Sequence, residues 1–276
     1  MKRYRVLTFD FDTRATILST DIQDSWEPQV KEMWHDNKNK IMEGLIAEFG
    51  IIGGFQKIKN FTDLGSAPFS IIAFHNKFFR QVRYSFVIGA FYPALTATCA
   101  LVERILNQLI LHLRNCYIST SEYKKVYRKD SFDNWDLAID TLESWGVLLP
   151  NIAAKFRELR DIRNRALHFN PETDENDREL ALDAISKLSD IINGQFSAFG
   201  PLPWFILQTA GVTFIKKSYE KVPFVEKILL QNCTLVGPFH TLELKNNTWI
   251  VHDNYKYEER EISDEEFAEL FNNRKI

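Results

Sequence analysis

The chain opens with two short runs of β-type residues, YRVLTF at 4–9 and ATILST at 15–20, on either side of DFDTR. That pattern predicts a hairpin. The period then becomes helical from about Trp26 to Phe49, with Asp24 or Ser25 to cap the helix, Pro28 in its first turn and Gly50 to stop it. Residues 50–68 carry Gly50, Gly53, Gly54, Gly65 and Pro68, and read as a loop-rich connector.

From Phe69 the pattern is almost continuously helical up to 117, and Pro93 is its one strong breaker. Two helices are expected, roughly 70–90 and 93–115. In the second, Leu95, Thr98, Leu101, Val102, Ile105, Leu106, Leu109 and Leu113 fall on one face, with Glu103, Asn107 and Arg114 beside it. A polar segment follows, ISTSEYKKVYRKDSFDN, then a short helix near 135–145 and a long one from about Asn151 to Phe169. Pro171 and ETDEND end that helix, and an amphipathic helix runs from Arg178 to Phe196.

The last third shortens its period again. Residues 228–236, 239–244 and 248–252 read as strands, with a tight turn at Asn246-Asn247. Ser263 and Glu266 form a capping box before a final short helix, FAELF. The expected architecture is mostly α: a small α+β segment at 1–68, a helical bundle at 69–200 and a β-rich α+β segment at 201–276.

Composition adds limits. Of 276 residues, 45% are hydrophobic and 26% charged, which excludes a disordered or low-complexity chain. The net charge of -3 means that any contact with nucleic acid must rest on a local patch. Three distant cysteines, Cys99, Cys116 and Cys233, make neither a disulfide framework nor a zinc set, and suit a reducing cytosol. The N-terminus has no apolar signal core and no 18-residue apolar run is read, the nearest approach being PLPWFILQTAGVTFI at 201–215. The expectation is therefore a cytoplasmic protein with nothing spanning a membrane. His35, His75, His112, His240 and His252 show no metal-ligand spacing. The likeness of TFDFDTR to the start of haloacid-dehalogenase-like phosphatases is poor, because Arg14 stands where a Thr or Val is wanted. Asp10 and Asp12 are therefore read as turn residues.

One segment concentrates positive charge. KFRELRDIRNRALHFNP carries Lys155, Arg157, Arg160, Arg163 and Arg165. A second concentration, Lys124, Lys125, Arg128 and Lys129, lies next to Tyr123 and Tyr127. On a wheel of about 100° per residue, Phe156, Leu159, Ile162, Ala166 and Phe169 form the buried sector, and Arg163 falls roughly 40° from Leu159. A guanidinium there is costly unless paired, and Glu103 is the carboxylate expected near it. Asn164 and His168 are one turn apart and share a face. His168 sits where the helix end favours an imidazolium. An Arg, an amide and a His suit a phosphodiester: the Arg grips phosphate and the His moves protons.

RNRALH, Arg163 to His168, resembles the R-x-x-x-x-H motif of HEPN domains, including the polar Asn164 after the Arg. The resemblance covers about 70–200: a long helix with an inward acidic residue (TCALVERILNQLI) precedes the motif helix, and a further amphipathic helix follows it. It implies an antiparallel four-helix bundle that pairs as a homodimer, with two motifs in one cleft. It also implies a metal-independent endoribonuclease needing no cofactor. In such enzymes the RNA 2′-hydroxyl attacks its own phosphate, leaving a cyclic phosphate and a 5′-hydroxyl. By position His168 would be the acid–base residue, Arg163 would steady the phosphate, Asn164 would orient the phosphate or the His, and Glu103 would support Arg163. Lys155, Arg157, Arg160 and Arg165 would line the RNA groove. The substrate would be tRNA or mRNA, in a bacterial toxin or anti-phage setting, with a regulatory or antitoxin protein as partner. Where some such toxins carry a modifiable Tyr, this chain has Asn170. The alternative is a non-catalytic module that dimerises and binds a nucleotide or a partner protein, presenting PLPWF (201–205) and WIVHDNYKY (249–257).

Overall fold

Four helical stripes of apolar residues need partners, and in the computed structural model they find them in one another. The structure describes residues 1–7, 12–167, 175–246 and 248–274. In chain order these form β1 (Arg3–Val6), α1 (Arg14–Ser19), α2 (Pro28–Phe49), α3 (Gly54–Asp63), α4 (Ala73–Val87), α5 (Phe91–Leu113), α6 (Tyr123–Val126), α7 (Trp135–Ser144), α8 (Pro150–Leu167) and α9 (Asp177–Gln195). After them come β2 (Cys233–Val236), β3 (Thr241–Lys245), β4 (Thr248–His252) and α10 (Asp264–Asn272). The described residues are mostly α, with two small antiparallel sheets among them.

α5 is the axis of the packing. Its apolar face, from Ala94 and Leu95 through Val102 and Ile105 to Leu113, is buried, and α4, α7, α8 and α9 cover it. Pro93 falls in the first turn of α5, where its missing N–H is not needed, so it starts the helix instead of breaking one. By length and composition, the stretch Phe91–Cys116 is apolar enough to cross a membrane, contrary to the sequence reading. Just over half of that stretch is buried by the protein itself, as in a core helix.

Local chemistry fixes the helix ends. Asn134 accepts the Leu137 backbone N–H at 3.0 Å and caps α7. Ser263 accepts the Glu266 N–H at 3.1 Å and caps α10, half of the expected box. Gly50 closes α2 with a φ of +85°, and Lys57 donates to the Phe49 carbonyl at 2.6 Å just behind it.

Three expectations change. Residues 15–19 form most of α1 with Thr20 at its end, and β1 pairs instead with β2, Arg3 opposite Val236 and Val6 opposite Cys233; Thr8 and Phe9 of the expected first strand lie outside the described residues. The short β-type run carried no information about a partner about 230 positions away, and tertiary packing overrode its propensity. The glycine-rich connector contains a ten-residue helix, α3, whose Phe61 and Asn60 are buried. Its glycines mark only its boundary, with Gly53 at φ +69°. In the expected strand 228–236, only Cys233–Val236 is extended; Val225–Leu229 is a wide helical turn. The β3–β4 hairpin is present, with Thr241 opposite His252 and Asn246 left-handed at φ +51°; Asn247 lies outside the described residues.

The three-part division describes composition along the chain. The buried core crosses both boundaries, running from Val6 and Ala15 through the helices to Leu229. A second, smaller core of Ile206, Phe214, Val236, Ile262, Phe267, Ala268 and Phe271 closes the C-terminal part. Arg3 reaches into it, donating to Asp264 at 2.7 Å and to the Ile262 carbonyl at 2.6 Å.

Candidate functional site

α8 buries Phe156, Leu159, Ile162 and Ala166, as its periodicity requires, and leaves Arg163 at the edge of that face with a quarter of its side chain exposed. The guanidinium lies over the Trp135 ring, 5.1 Å from its centre. Glu103 of α5 stands 3.6 Å from Arg163 and accepts the Trp135 indole N–H at 3.1 Å. Three helices thus meet at one arginine, one carboxylate and one indole. At 3.6 Å the ion pair is a contact of charge and not a direct hydrogen bond, so it leaves the guanidinium able to hold an additional anion. Cys99, one turn before Glu103, is buried, which pushes its thiol up to about 11 while the nearby Arg163 pulls the other way.

Asn164 and Arg165 are exposed. His168 and Phe169 lie outside the described residues, as do Asn170 and Asp10.

The basic run on α8 is not a bare positive face. Arg157 bonds Asp140 at 2.8 Å and Glu143 at 2.5 Å; Arg160 pairs with Asp136 and, at 2.8 Å, with Asp161. These hydrogen-bonded carboxylates hold both guanidinium groups above their usual range. Lys155 lies 3.2 Å from Asp190 and 3.8 Å from Glu158. Asp136, Asp140 and Glu143 recur at four and three places along α7, so they share one face. That acidic stripe is visible in the sequence, but only the packing of α7 on α8 sets it against Arg157 and Arg160.

The other basic cluster contrasts with it. Lys124, Lys125, Arg128 and Lys129 are exposed, and among the described residues none has a carboxylate within 4.0 Å. Tyr123 and Tyr127 stack at 5.6 Å, and Arg128 covers the Tyr127 ring at 5.0 Å. Arg114, just past the end of α5, anchors this loop by donating to the carbonyls of Val126 (3.2 Å) and Lys129 (2.6 Å). Asn107 anchors its continuation, donating to the Phe132 carbonyl at 2.9 Å and accepting its N–H at 2.7 Å. Arg114 is eleven residues beyond Glu103, about 16 Å along the helix axis. The loop therefore leads from the exposed cations to Trp135.

Sequence reasoning placed Glu103 near Arg163 but missed Trp135. The signal available was DNW at 133–135, a capping Asn followed by a large ring aimed back at the core. The histidines noted in the sequence go elsewhere. His75 is fully buried and bonded to Ser70 at 2.8 Å, and burial lowers it to about 3. His240 faces the Gly237 carbonyl, and His252 pairs with Glu243 at 2.9 Å. Among the described residues no three His, Cys, Asp or Glu side chains gather as metal ligands. The PLPWF segment is largely core, with Trp204 and Phe205 buried, so it is no exposed partner surface. In the second aromatic stretch, Ile250 and Tyr255 are exposed.

No family model, curated protein or solved structure matches the chain.

Proposed function

We propose that the protein is a metal-independent endoribonuclease of HEPN type, working as a homodimer on tRNA or mRNA in a toxin or defence setting. One observation carries this reading. Arg163, which helical period alone would have made an apolar residue, stands partly buried between Glu103 and Trp135, near the end of the helix that leads to His168.

The chemistry assigned to the site is transesterification. The 2′-oxygen of a ribose bonds to the adjacent phosphorus as the phosphorus–5′-oxygen bond breaks, giving a 2′,3′-cyclic phosphate and a 5′-hydroxyl. One proton leaves the 2′-hydroxyl and one reaches the 5′-oxygen; His168 is the group to carry them. Arg163 stabilises the negative charge that builds on the phosphate oxygens, with Glu103 and Trp135 fixing its plane. Asn164 orients the phosphate. The RNA strand would run along the exposed cations of 124–129 and the stacked Tyr123 and Tyr127, because Arg157, Arg160 and Lys155 already face carboxylates.

The decisive test is cleavage of structured RNA in EDTA by wild type and by His168→Ala, with folding checked by circular dichroism. The expected result is cutting that leaves 5′-hydroxyl ends and falls about 10²–10⁴-fold in the variant. Unchanged activity removes His168 from the mechanism, and an absolute need for added Mg²⁺ removes the reaction class. The ion pairing along α8 favours one second reading, a non-catalytic module in which that face is structural. Such a module gives no cleavage in either protein.

A further inference from the structure

We propose that the cavity enclosed by α1, the end of α2, α3 and α4 binds a small organic anion carrying a flat ring, with Arg83 gripping its phosphate or carboxylate. The cavity holds about 460 Å³, within the range of small-molecule sites. It is separate from the Arg163 site, and the proposal does not depend on the ribonuclease reading.

Arg83 is a buried cation with no hydrogen-bonded carboxylate among the described residues. Arg83 is 7% exposed and lines the cavity wall. Two of its N–H groups go to neutral acceptors, the carbonyls of Leu64 (3.2 Å) and Gly65 (2.6 Å). Among the described residues no carboxylate lies within 4.0 Å of it. Asp12 is the acid that acts on it electrostatically, yet that carboxylate is engaged by Arg14, whose Nε and terminal nitrogen donate to it at 3.0 Å each. Glu48, the other acid of the wall, is bound to Arg14 as well, at 2.6 Å. Burial lowers Arg83 to about 10, which leaves it cationic at neutral pH. A buried charge of this kind is costly when unpaired, and an anion in the cavity supplies the pair.

The rest of the wall selects the shape of that anion. Phe61, Phe79, Phe49 and Tyr84 line it, with Phe49 and Tyr84 at 5.2 Å between ring centres. Phe79 is buried, whereas Tyr84 is 45% exposed and stands at the mouth. Aromatic faces beside a guanidinium fit a planar ring joined to a phosphate or a carboxylate.

The test is titration of the full chain with AMP and with benzoate, read by calorimetry and thermal shift, with adenosine and inorganic phosphate as the separated halves. Saturable binding of AMP identifies the phosphate form and of benzoate the carboxylate form; binding of both fits the shared chemistry. Each half should bind at least about tenfold more weakly than AMP, and Arg83→Gln should cost about tenfold or more in affinity while Arg163→Ala leaves it unchanged. If Arg83→Gln does not fold, Tyr84→Ala at the exposed mouth serves, with a loss of about threefold expected. Absence of saturable binding of either anion up to about 10 mM overturns the proposal. So does binding that survives both wall variants, or that is lost in Arg163→Ala.

Discussion

Two arginines lie against aromatic rings where helices of this molecule meet, and their surroundings differ in one respect. Arg163 on α8 faces Trp135 and has Glu103 at 3.6 Å; Arg83 on α4 faces Phe79 and, among the described residues, donates to the carbonyls of Leu64 and Gly65 and to no carboxylate. Both occupy positions one helical turn from a buried apolar residue, Leu159 in one case and Phe79 in the other. The same irregularity in the apolar period thus marks two sites with opposite electrostatic states. One is a cation with a carboxylate at 3.6 Å; the other, among the described residues, has no carboxylate within 4.0 Å and feels Asp12 only at longer range. An off-pattern arginine therefore flags a place to look, while its neighbours decide what it can do there.

The largest effect should come from removing the ring of the first site. Trp135→Ala deletes a buried side chain that also bonds Glu103, and it should cost about 3–5 kcal/mol in chemical denaturation. Trp135→Phe keeps most of the packing and loses mainly the indole N–H bond, so it should cost about 1 kcal/mol. If Trp135→Phe costs nothing, the indole's bond to Glu103 has no separate role and the ring acts at Arg163 by packing alone.

A second test concerns the α4 side. His75 lies fully buried at the start of α4 with its pKa lowered to about 3 by desolvation. In the unfolded chain it titrates near 6.5, so the unfolded state binds the extra proton first as pH falls. Its contribution to stability is complete above about pH 6.5 and declines between there and about pH 3. Between pH 7 and pH 5 that decline is about 2 kcal/mol. His75→Leu should flatten the stability–pH curve by that amount, measured by denaturation at the two values. An unchanged slope would show that acid sensitivity arises elsewhere.

The smallest effect on stability should come from the acidic stripe of α7. Asp140→Asn with Glu143→Gln frees Arg157 at a cost within about 0.5 kcal/mol, since the pairs are largely exposed. The same change should strengthen RNA binding and steepen its dependence on salt, by about one unit in the log–log slope. Lys125→Ala with Arg128→Ala should weaken binding and make the slope shallower. Should the α7 change have no effect while the loop change does, RNA follows 124–129 alone.

Much of the helical part was legible in the sequence. α5, α8 and α9 follow their apolar stripes closely, because a long amphipathic period is repeated enough to outvote any single residue, whereas α2, which buries only Leu45, is marked by Pro28 and Gly50 at its ends. The turn chemistry at Asn134, Ser263 and Gly50 is equally local. At the candidate site, the inward lean of Arg163 and the choice of Glu103 came from helix geometry. Trp135 did not: DNW marks a capped helix start, but only the packing of α7 sets its ring against Glu103 and Arg163.

Local pattern was enough to set the positions of the long helices, the buried face of α5, α8 and α9, and the presence of an arginine where packing would favour a hydrocarbon. Only the assembled chain sets β1 against β2, lays the acids of α7 on Arg157 and Arg160, and puts Arg83 beside a cavity. The reason lies in range. Periodicity and capping act over a few residues of one chain segment, whereas ion pairing, strand pairing and cavities depend on which segments meet. Those meetings are set by the closing of the whole core.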